Sequence, residues 1–337
     1  MMRDFIDQYI VRTFKNPILG ELGDSAFLPN QIAFTTDSYV VDPIFFPGGD
    51  IGTLCVNGTV NDLVVSGAMP RYISLSFILE EGLAWEDLGR ILKSIRKSAR
   101  EAGVVIATGD TKVVRRGQGD KIYINTSGLG KIIARPSLKK VKAGDKIIVT
   151  GNLGEHSLAV MLARGDFGLE AGTKSDCAPL NFLLPLWKQG VYWMRDITRG
   201  GLATVLSELA ERLPYAVLIE EENIPLSRAV RGASELLGID PLYLACEGRA
   251  VLVVPEKSAP RILKKIRENK LGKGAAVLGQ IEDRTGKPGE LLLRTVSGGL
   301  RLLEPLTRSF SPGYADRLNL IIYGFIRISF IFRRNRK

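Results

Sequence analysis

Six aspartates recur in one kind of setting, beside Gly, Thr, Ser or Asn: Asp24 in LGDSA, Asp37 in TTDSY, Asp50 in GGDIG, Asp62 in VNDLV, Asp110 in TGDTK and Asp196 in RDITRGG. Each is expected at a strand end or a turn, where several carboxylates can converge on a hard cation. Mg²⁺ takes oxygen ligands and commonly shares them with nucleotide phosphates. Any one of these aspartates alone reads as a helix cap or turn closer; six alike favour a metal–nucleotide site. Lys112 follows Asp110 by two residues, so on an extended segment the two share a face and the lysine can hold phosphate or polarise an oxygen. In RDITRGGL, Asp196 and Arg199 stand just before Gly200, Gly201 and a helix. Paired glycines admit a phosphate to the backbone, and a helix N-terminus favours negative charge. Neither GxxxxGK[ST] nor a dinucleotide fingerprint occurs, so the familiar nucleotide folds are not indicated.

The remaining reactive side chains carry less. His156, the one histidine, opens a helix in GNLGEHSLAV with no nucleophile motif beside it, and reads as structural or peripheral. Cys55 and Cys177 read as small core residues. Glu247, in YLACEGRAVLVV, precedes a glycine and a buried strand and reads as a turn carboxylate.

The elements that must position these groups follow from periodicity. IAFTTDSYVV and RYISLSFIL are strand-like, and the stretch from Gly48 to Ala68 between them is helical, opening on glycines and Asp50. Trp85 to Gly103 sets Trp85, Leu88, Ile91, Leu92, Ile95, Ala99 and Ala102 at helical spacing against Lys93, Arg96, Lys97 and Arg100, a one-sided helix on a sheet. VVIATGD reads as a short buried strand ending in a turn, and KIYINTSGLGKII as another strand. The polar, basic RPSLKKVKAGD marks a boundary near residue 140. Beyond it KIIVT, GEHSLAVMLAR, LATVLSELAERL, YAVLIE, SRAVRGASELLG and AVLVV alternate strand and helix. The expectation is α/β or α+β in two domains, 32–140 and 141–308, after an N-terminal segment 1–31.

At 337 residues, 45% apolar and 24% charged, the chain is long enough for two cores, which excludes disordered and fibrous classes. The net charge is +10, and Arg317, Arg327, Arg333, Arg334, Arg336 and Lys337 against Asp316 supply half of it. The rest is scattered among acids, so nucleic acid is not an expected partner. MMRDFIDQYI lacks the apolar core of a signal peptide. Leu320 to Phe332 is broken by Arg327 and too short to span a bilayer, which needs about 20 residues. The three cysteines lie far apart without paired spacing, which suits a reducing, cytoplasmic setting.

Taken in order, FTTDSYVVDPIFFPGGDIG, GTVNDLVVSGA, LSFILEEG, TGDTKVV, SDCAPLN, RDITRGGLA and GIDPLYLACEG resemble the HypE family of hydrogenase maturation carbamoyl dehydratases, in the aminoimidazole ribonucleotide synthetase-like superfamily. The likeness covers about residues 20 to 308. It implies a homodimer that pairs through its N-terminal domain sheets, and ATP with Mg²⁺ in a cleft. It also implies a C-terminal cysteine that is S-carbamoylated by the carbamoyltransferase HypF and dehydrated to a thiocyanate, whose cyanide passes to iron on a HypC–HypD complex. Carried over, Asp37, Asp62, Asp110, Thr111, Asp196, Arg199, Gly200 and Gly201 are the ATP-binding candidates. Asp24, Asp37, Asp62 and Asp110 are the metal candidates, and Lys112 and Glu247 the catalytic ones. A small-molecule phosphotransferase of the same superfamily and a non-catalytic maturation scaffold are the competing readings.

Three positions depart from the family pattern: Ser25 stands for a second Asp, Cys246 for an Asn, and no cysteine follows Cys246. Residues 309–337 are accordingly expected to be out-of-frame translation. Triplets begun at the third base of each codon from Ser311 to Ala315 can spell Pro-Arg-Ile-Cys-stop, which resequencing of the gene would test.

Overall fold

A computed structural model describes residues 6–19, 23–165, 172–283 and 289–305. The proposed out-of-frame stretch and Leu320 to Phe332 lie outside the described residues. In chain order the regular elements are β1 (Ala26–Leu28), β2 (Ile32–Tyr39), β3 (Phe45–Phe46), β4 (Gly49–Asp50), α1 (Ile51–Val65), β5 (Ala68–Glu80), α2 (Trp85–Ala102), β6 (Val105–Val114) and β7 (Ile122–Ile132). There follow β8 (Lys146–Val149), α3 (Glu155–Arg164), β9 (Trp193–Asp196), α4 (Gly201–Glu211), β10 (Ala216–Glu220), α5 (Arg228–Leu237), β11 (Ala250–Val254), α6 (Ala259–Glu268), β12 (Ala276–Glu282), β13 (Leu291–Arg294) and β14 (Leu300–Leu303).

The first sheet has the order β1-β2-β7-β5-β6 and the second β14-β13-β10-β12-β8-β11-β9, and β3 with β4 forms a separate ribbon. Pairing is antiparallel except between β5 and β6 and between β10 and β13. These are two α+β units. One core cluster runs through both, joining Ile51, Val60, Ile73 and Ile91 to Ile148, Met194 and Leu252.

The helix α1 is the axis of the arrangement. Asp50 caps it, its Oδ1 accepting the Thr53 N–H at 2.8 Å and its Oδ2 accepting the Ser94 hydroxyl. Almost every residue of α1 is buried, Asn57, Thr59 and Asn61 among them. A helix buried all round needs no amphipathic stripe; its polar residues are there to be paired. Thr59 meets Thr126 of β7 and the Tyr39 hydroxyl on one side. On the other, Trp187 donates its indole N–H to the Val64 carbonyl at 3.0 Å.

Two expectations need correction. In α2, Ile91, Ile95, Ala99 and Ala102 are buried as the spacing predicts, but Trp85 is 82% exposed and Leu92 44% exposed. Trp85 is the first residue of the helix, before the chain has settled against α1, and Leu92 lies at the margin of the stripe. In VVIATGD only Val104 is buried, and no turn closes the stretch at Asp110: β6 runs on to Val114, is exposed along nearly its whole length, and has no neighbour on its outer edge among the described residues.

Candidate functional site

Three carboxylates meet where α1 passes between the two sheets. Asp24 comes from the turn before β1, Asp62 from the last turn of α1 and Asp196 from the end of β9, and their oxygens lie within 4.8 Å of one another. Thr35 of β2 donates its hydroxyl to Asp62 Oδ2 at 2.8 Å and lies equally close to the Asp24 carbonyl. Among the described residues Arg195 is the one cation bonded to the group, its Nε 3.0 Å from Asp24 Oδ1, and it is shared with Glu208 at 3.1 Å. Three acids against one shared guanidinium leave an excess of buried negative charge.

Protonation reflects that excess. Burial pushes Asp62 well above the usual carboxylate range, and the neighbouring Asp196, Asp24 and Asp37 push it further. Asp196 is raised to about 8 by burial and by Asp24, against the pull of Arg195. Burial raises Asp24 too, opposed by Arg195. A divalent cation would relieve this repulsion, and an all-oxygen donor set is what Mg²⁺ takes. The donor chemistry therefore fits.

Asp37 flanks the cluster from β2. Its Oδ1 accepts the Ser38 N–H at 2.8 Å and stands 3.6 Å from Arg199, a guanidinium 75% exposed in the turn before α4. Burial raises its carboxyl while Arg199 lowers it. Gly200 and Gly201 both hold positive φ, at 74° and 64°. At Gly201 a Cβ would lie 2.4 Å from the Leu242 carbonyl oxygen, so only glycine fits. No side chain caps the start of α4, which leaves first-turn N–H groups for an anion.

Glu247 lies half-buried between the 3₁₀ turn Pro241–Tyr243 and β11. Burial holds its carboxyl well above the ordinary range, and the Asp196, Asp176 and Asp37 charges add to the effect. Asp196 and Glu247 thus bring the second sheet's chemistry to the same place as Asp24, Asp37 and Asp62.

Asp110, Thr111 and Lys112 stand elsewhere. In the sheet register Asp37 pairs with Thr126, whose side chain is buried under α1, whereas Asp110 pairs with Ser76 in the row that continues through Asn125 to Ser38. Side chains alternate across a strand, so Asp37 and Asp110 point to opposite faces, three strands or roughly 14 Å apart along the sheet. Convergence of Asp37, Asp62 and Asp110 within one chain is therefore not observed. Asp110 and Lys112 pair instead with each other at 2.9 Å, both exposed, and that pairing draws the Asp110 carboxyl below its ordinary range.

Sequence reasoning also missed settings and partners. Asp37 and Asp110 lie within strands and Asp62 within a helix, not in turns. Thr35, Glu208, Asn61 and Asp176 carried no flag. The signal available for Asn61 was an amide in the middle of an apolar helical run, which demands a buried partner. His156 is structural, as read: its ring is buried edge-on to Phe46, with Nδ1 2.9 Å from Ser175 Oγ. Cys55 is a core residue as expected, while Cys177 is only half-buried.

Comparison with known proteins shows the family. Residues 23–132 match the family described as AIR synthase related protein, N-terminal domain, and 142–289 its C-terminal domain. The chain is 43% identical over 297 residues to the carbamoyl dehydratase HypE of Escherichia coli (strain K12), covering 85% of this chain and 88% of that one. Among solved structures it is similar to HypE in the HypE–HypF complex, with TM-score 0.85 and 39% identity over 90% of this chain and 99% of that one. It is also similar to a hydrogenase maturation protein HypE in complex with ATP, with TM-score 0.80 and 44% identity over 91% and 95%.

Proposed function

Because the chain belongs to the HypE family of carbamoyl dehydratases, within the AIR synthase-related proteins, we propose that its carboxylate cluster serves the ATP-dependent dehydration of a C-terminal S-carbamoyl cysteine to a thiocyanate. The observation that carries this is the meeting of Asp24, Asp62 and Asp196 beside Asp37, Arg199 and Glu247. In the reaction the carbamoyl oxygen attacks the γ-phosphorus of ATP and ADP leaves. The C–O bond then breaks with phosphate as leaving group while nitrogen gives up its two protons, so that R–S–C(=O)–NH₂ and ATP become R–S–C≡N, ADP and phosphate.

Asp24, Asp37, Asp62 and Asp196 would hold Mg²⁺, which when bound neutralises phosphate charge. Arg199 and the uncapped start of α4 bind phosphate oxygens. A Glu247 carboxylate takes protons from nitrogen, and burial raises its affinity for them.

Asp110 and Lys112 enter this account through a second copy. The open face of the first sheet carries Phe34, Tyr72, Ile78 and Leu129, all at least 36% exposed, and β6 adds Val105, Ile106 and Val113 along a free edge. Apolar exposure on a sheet with an unpaired edge is a surface built to be covered. A homodimer formed there offers Asp110, Thr111 and Lys112 to the nucleotide cleft of its partner copy, with Lys112 polarising the carbamoyl oxygen. HypF as carbamoyl donor, HypC–HypD as cyanide acceptor and a cytoplasmic location complete the reading. Among the described residues no helix is long and apolar enough to cross a membrane.

The test is ADP formation in the presence of Mg²⁺ and a peptide ending in S-carbamoyl cysteine. Asp62→Asn should lower it by at least about 100-fold, the scale of losing one electrostatic contact to a transition state. Undiminished turnover in that variant would refute the assignment.

A further inference from the structure

Glu247 is held through its backbone. Its N–H donates to Asp176 Oδ1 at 3.1 Å, and its carbonyl accepts from Asn61 Nδ2 at 3.2 Å. Asn61 is saturated elsewhere: the same Nδ2 reaches the Ala178 carbonyl at 3.1 Å, and its Oδ1 accepts the Leu180 N–H at 2.8 Å. Asp176 is fixed in turn by Arg249, whose Nε lies 3.4 Å from Asp176 Oδ2 and whose Nη2 lies 3.1 Å from Glu155 Oε2. Asn61 is 1% exposed and Asp176 7%, so these bonds form out of water, where a lost partner leaves an uncompensated polar group. Next in the chain, Gly248 would place a Cβ 2.0 Å from the Asp176 carbonyl oxygen, which fixes the closeness of the two segments.

Asn61 is also the residue before Asp62. Consecutive side chains of a helix point about 100° apart. One position of α1 therefore reaches the carboxylate cluster while the one before it reaches the Glu247 peptide. The two ends of the reaction, phosphate and nitrogen, are gauged against each other by neighbouring residues of one buried helix.

From this geometry we propose that Asn61 and Asp176 are positioning residues for the dehydration step, clamping the Glu247 peptide to α1 and so setting its carboxyl against the nucleotide site. The proposal rests on the reading of Glu247 as the base. Neither residue is bonded to the Asp24–Asp62–Asp196 group, so nucleotide capture should not depend on them. A misplacement of about 1 Å can lower a rate by roughly 100-fold.

The experiment is a double-mutant cycle on the full chain, reading peptide-stimulated ADP formation with ATP, Mg²⁺ and a peptide ending in S-carbamoyl cysteine. Asn61→Ala should lower kcat by about 10- to 100-fold while KM for ATP stays within about twofold. In a Glu247→Gln background the same substitution should cost little more, since residues that act as a unit are not additive. Asp176→Asn keeps an oxygen for the Glu247 N–H and should recover most of what Asp176→Ala loses. Equal losses from Asn61→Ala in both backgrounds, a rise in KM for ATP in place of the fall in kcat, or Asp176→Asn no better than Asp176→Ala would each overturn the clamp alone. Full activity in Glu247→Gln, or no peptide-stimulated turnover in the unsubstituted chain, would overturn the reading of Glu247 and the clamp with it.

Discussion

Asp196 sets the proton balance of the site. Its carboxyl titrates at about 8 because it is buried beside Asp24 with Arg195 as partial compensation. In the unfolded chain an aspartate titrates near 3.8. Between those values the folded form holds a proton that the unfolded form does not, so stability is greatest at low pH and falls as pH rises toward 8. A divalent cation takes the place of the proton, and its binding should release protons and strengthen over the same interval. The expected result is a metal-free melting temperature that declines from pH 5 to 8, with Mg²⁺ restoring it most at the alkaline end. Asp196→Asn should flatten the decline and remove the Mg²⁺ effect. Thermal scans at several pH values, with and without Mg²⁺, check both.

At the scale of elements, α1 carries the account, and its sequence shows what could be read and what could not. The run from Ile51 to Val65 was legible as a helix with Asp50 at its start, since glycines precede it and a glycine closes it. Its near-complete burial was not, because an apolar run shows no stripe and gives no sign of what covers it. The aspartates were legible as chemistry but not as geometry. Asp62 and Asp196 meet only because β9 of one unit ends beside α1 of the other, a long-range fact no local pattern holds. The face of β6 was lost for a related reason: VVIATGD reads as buried by composition, while its exposure depends on being last in the sheet. Close packing of α1 on α2 gives an element-scale prediction. Alanine usually exceeds glycine in a helix by about 1 kcal/mol. At Gly52, however, a Cβ would sit 2.6 Å from the Ile91 carbonyl oxygen. Overpacking of that kind costs about 1–3 kcal/mol, which outweighs the helix gain. Gly52→Ala should therefore lower the midpoint of urea unfolding, and an unchanged or raised midpoint would mean that the two helices can separate freely.

At the scale of the whole molecule, the proposed role of Asp110 and Lys112, which stand apart from the cluster, would make a dimer a functional requirement. Val113→Lys, placed on the exposed edge strand, should convert the dimer to monomer in light scattering and abolish turnover together. Lys112→Ala and Glu247→Gln should each fall to a small but measurable residual activity alone, yet co-expressed they should regain about one quarter of the full activity, from the intact site of each mixed C₂ dimer. The most direct measurement of the central claim follows the fate of the thiocarbamate. The chain is incubated with ATP, Mg²⁺ and a peptide ending in ¹³C-carbamoyl cysteine, and the products are read by NMR and mass. The account predicts a peptide thiocyanate appearing in step with equal amounts of ADP and phosphate, with ¹⁸O from a labelled carbamoyl oxygen recovered in the phosphate. ADP formed while the ¹³C label stays in an unchanged thiocarbamate, or label recovered in a stable phosphorylated product, would contradict it.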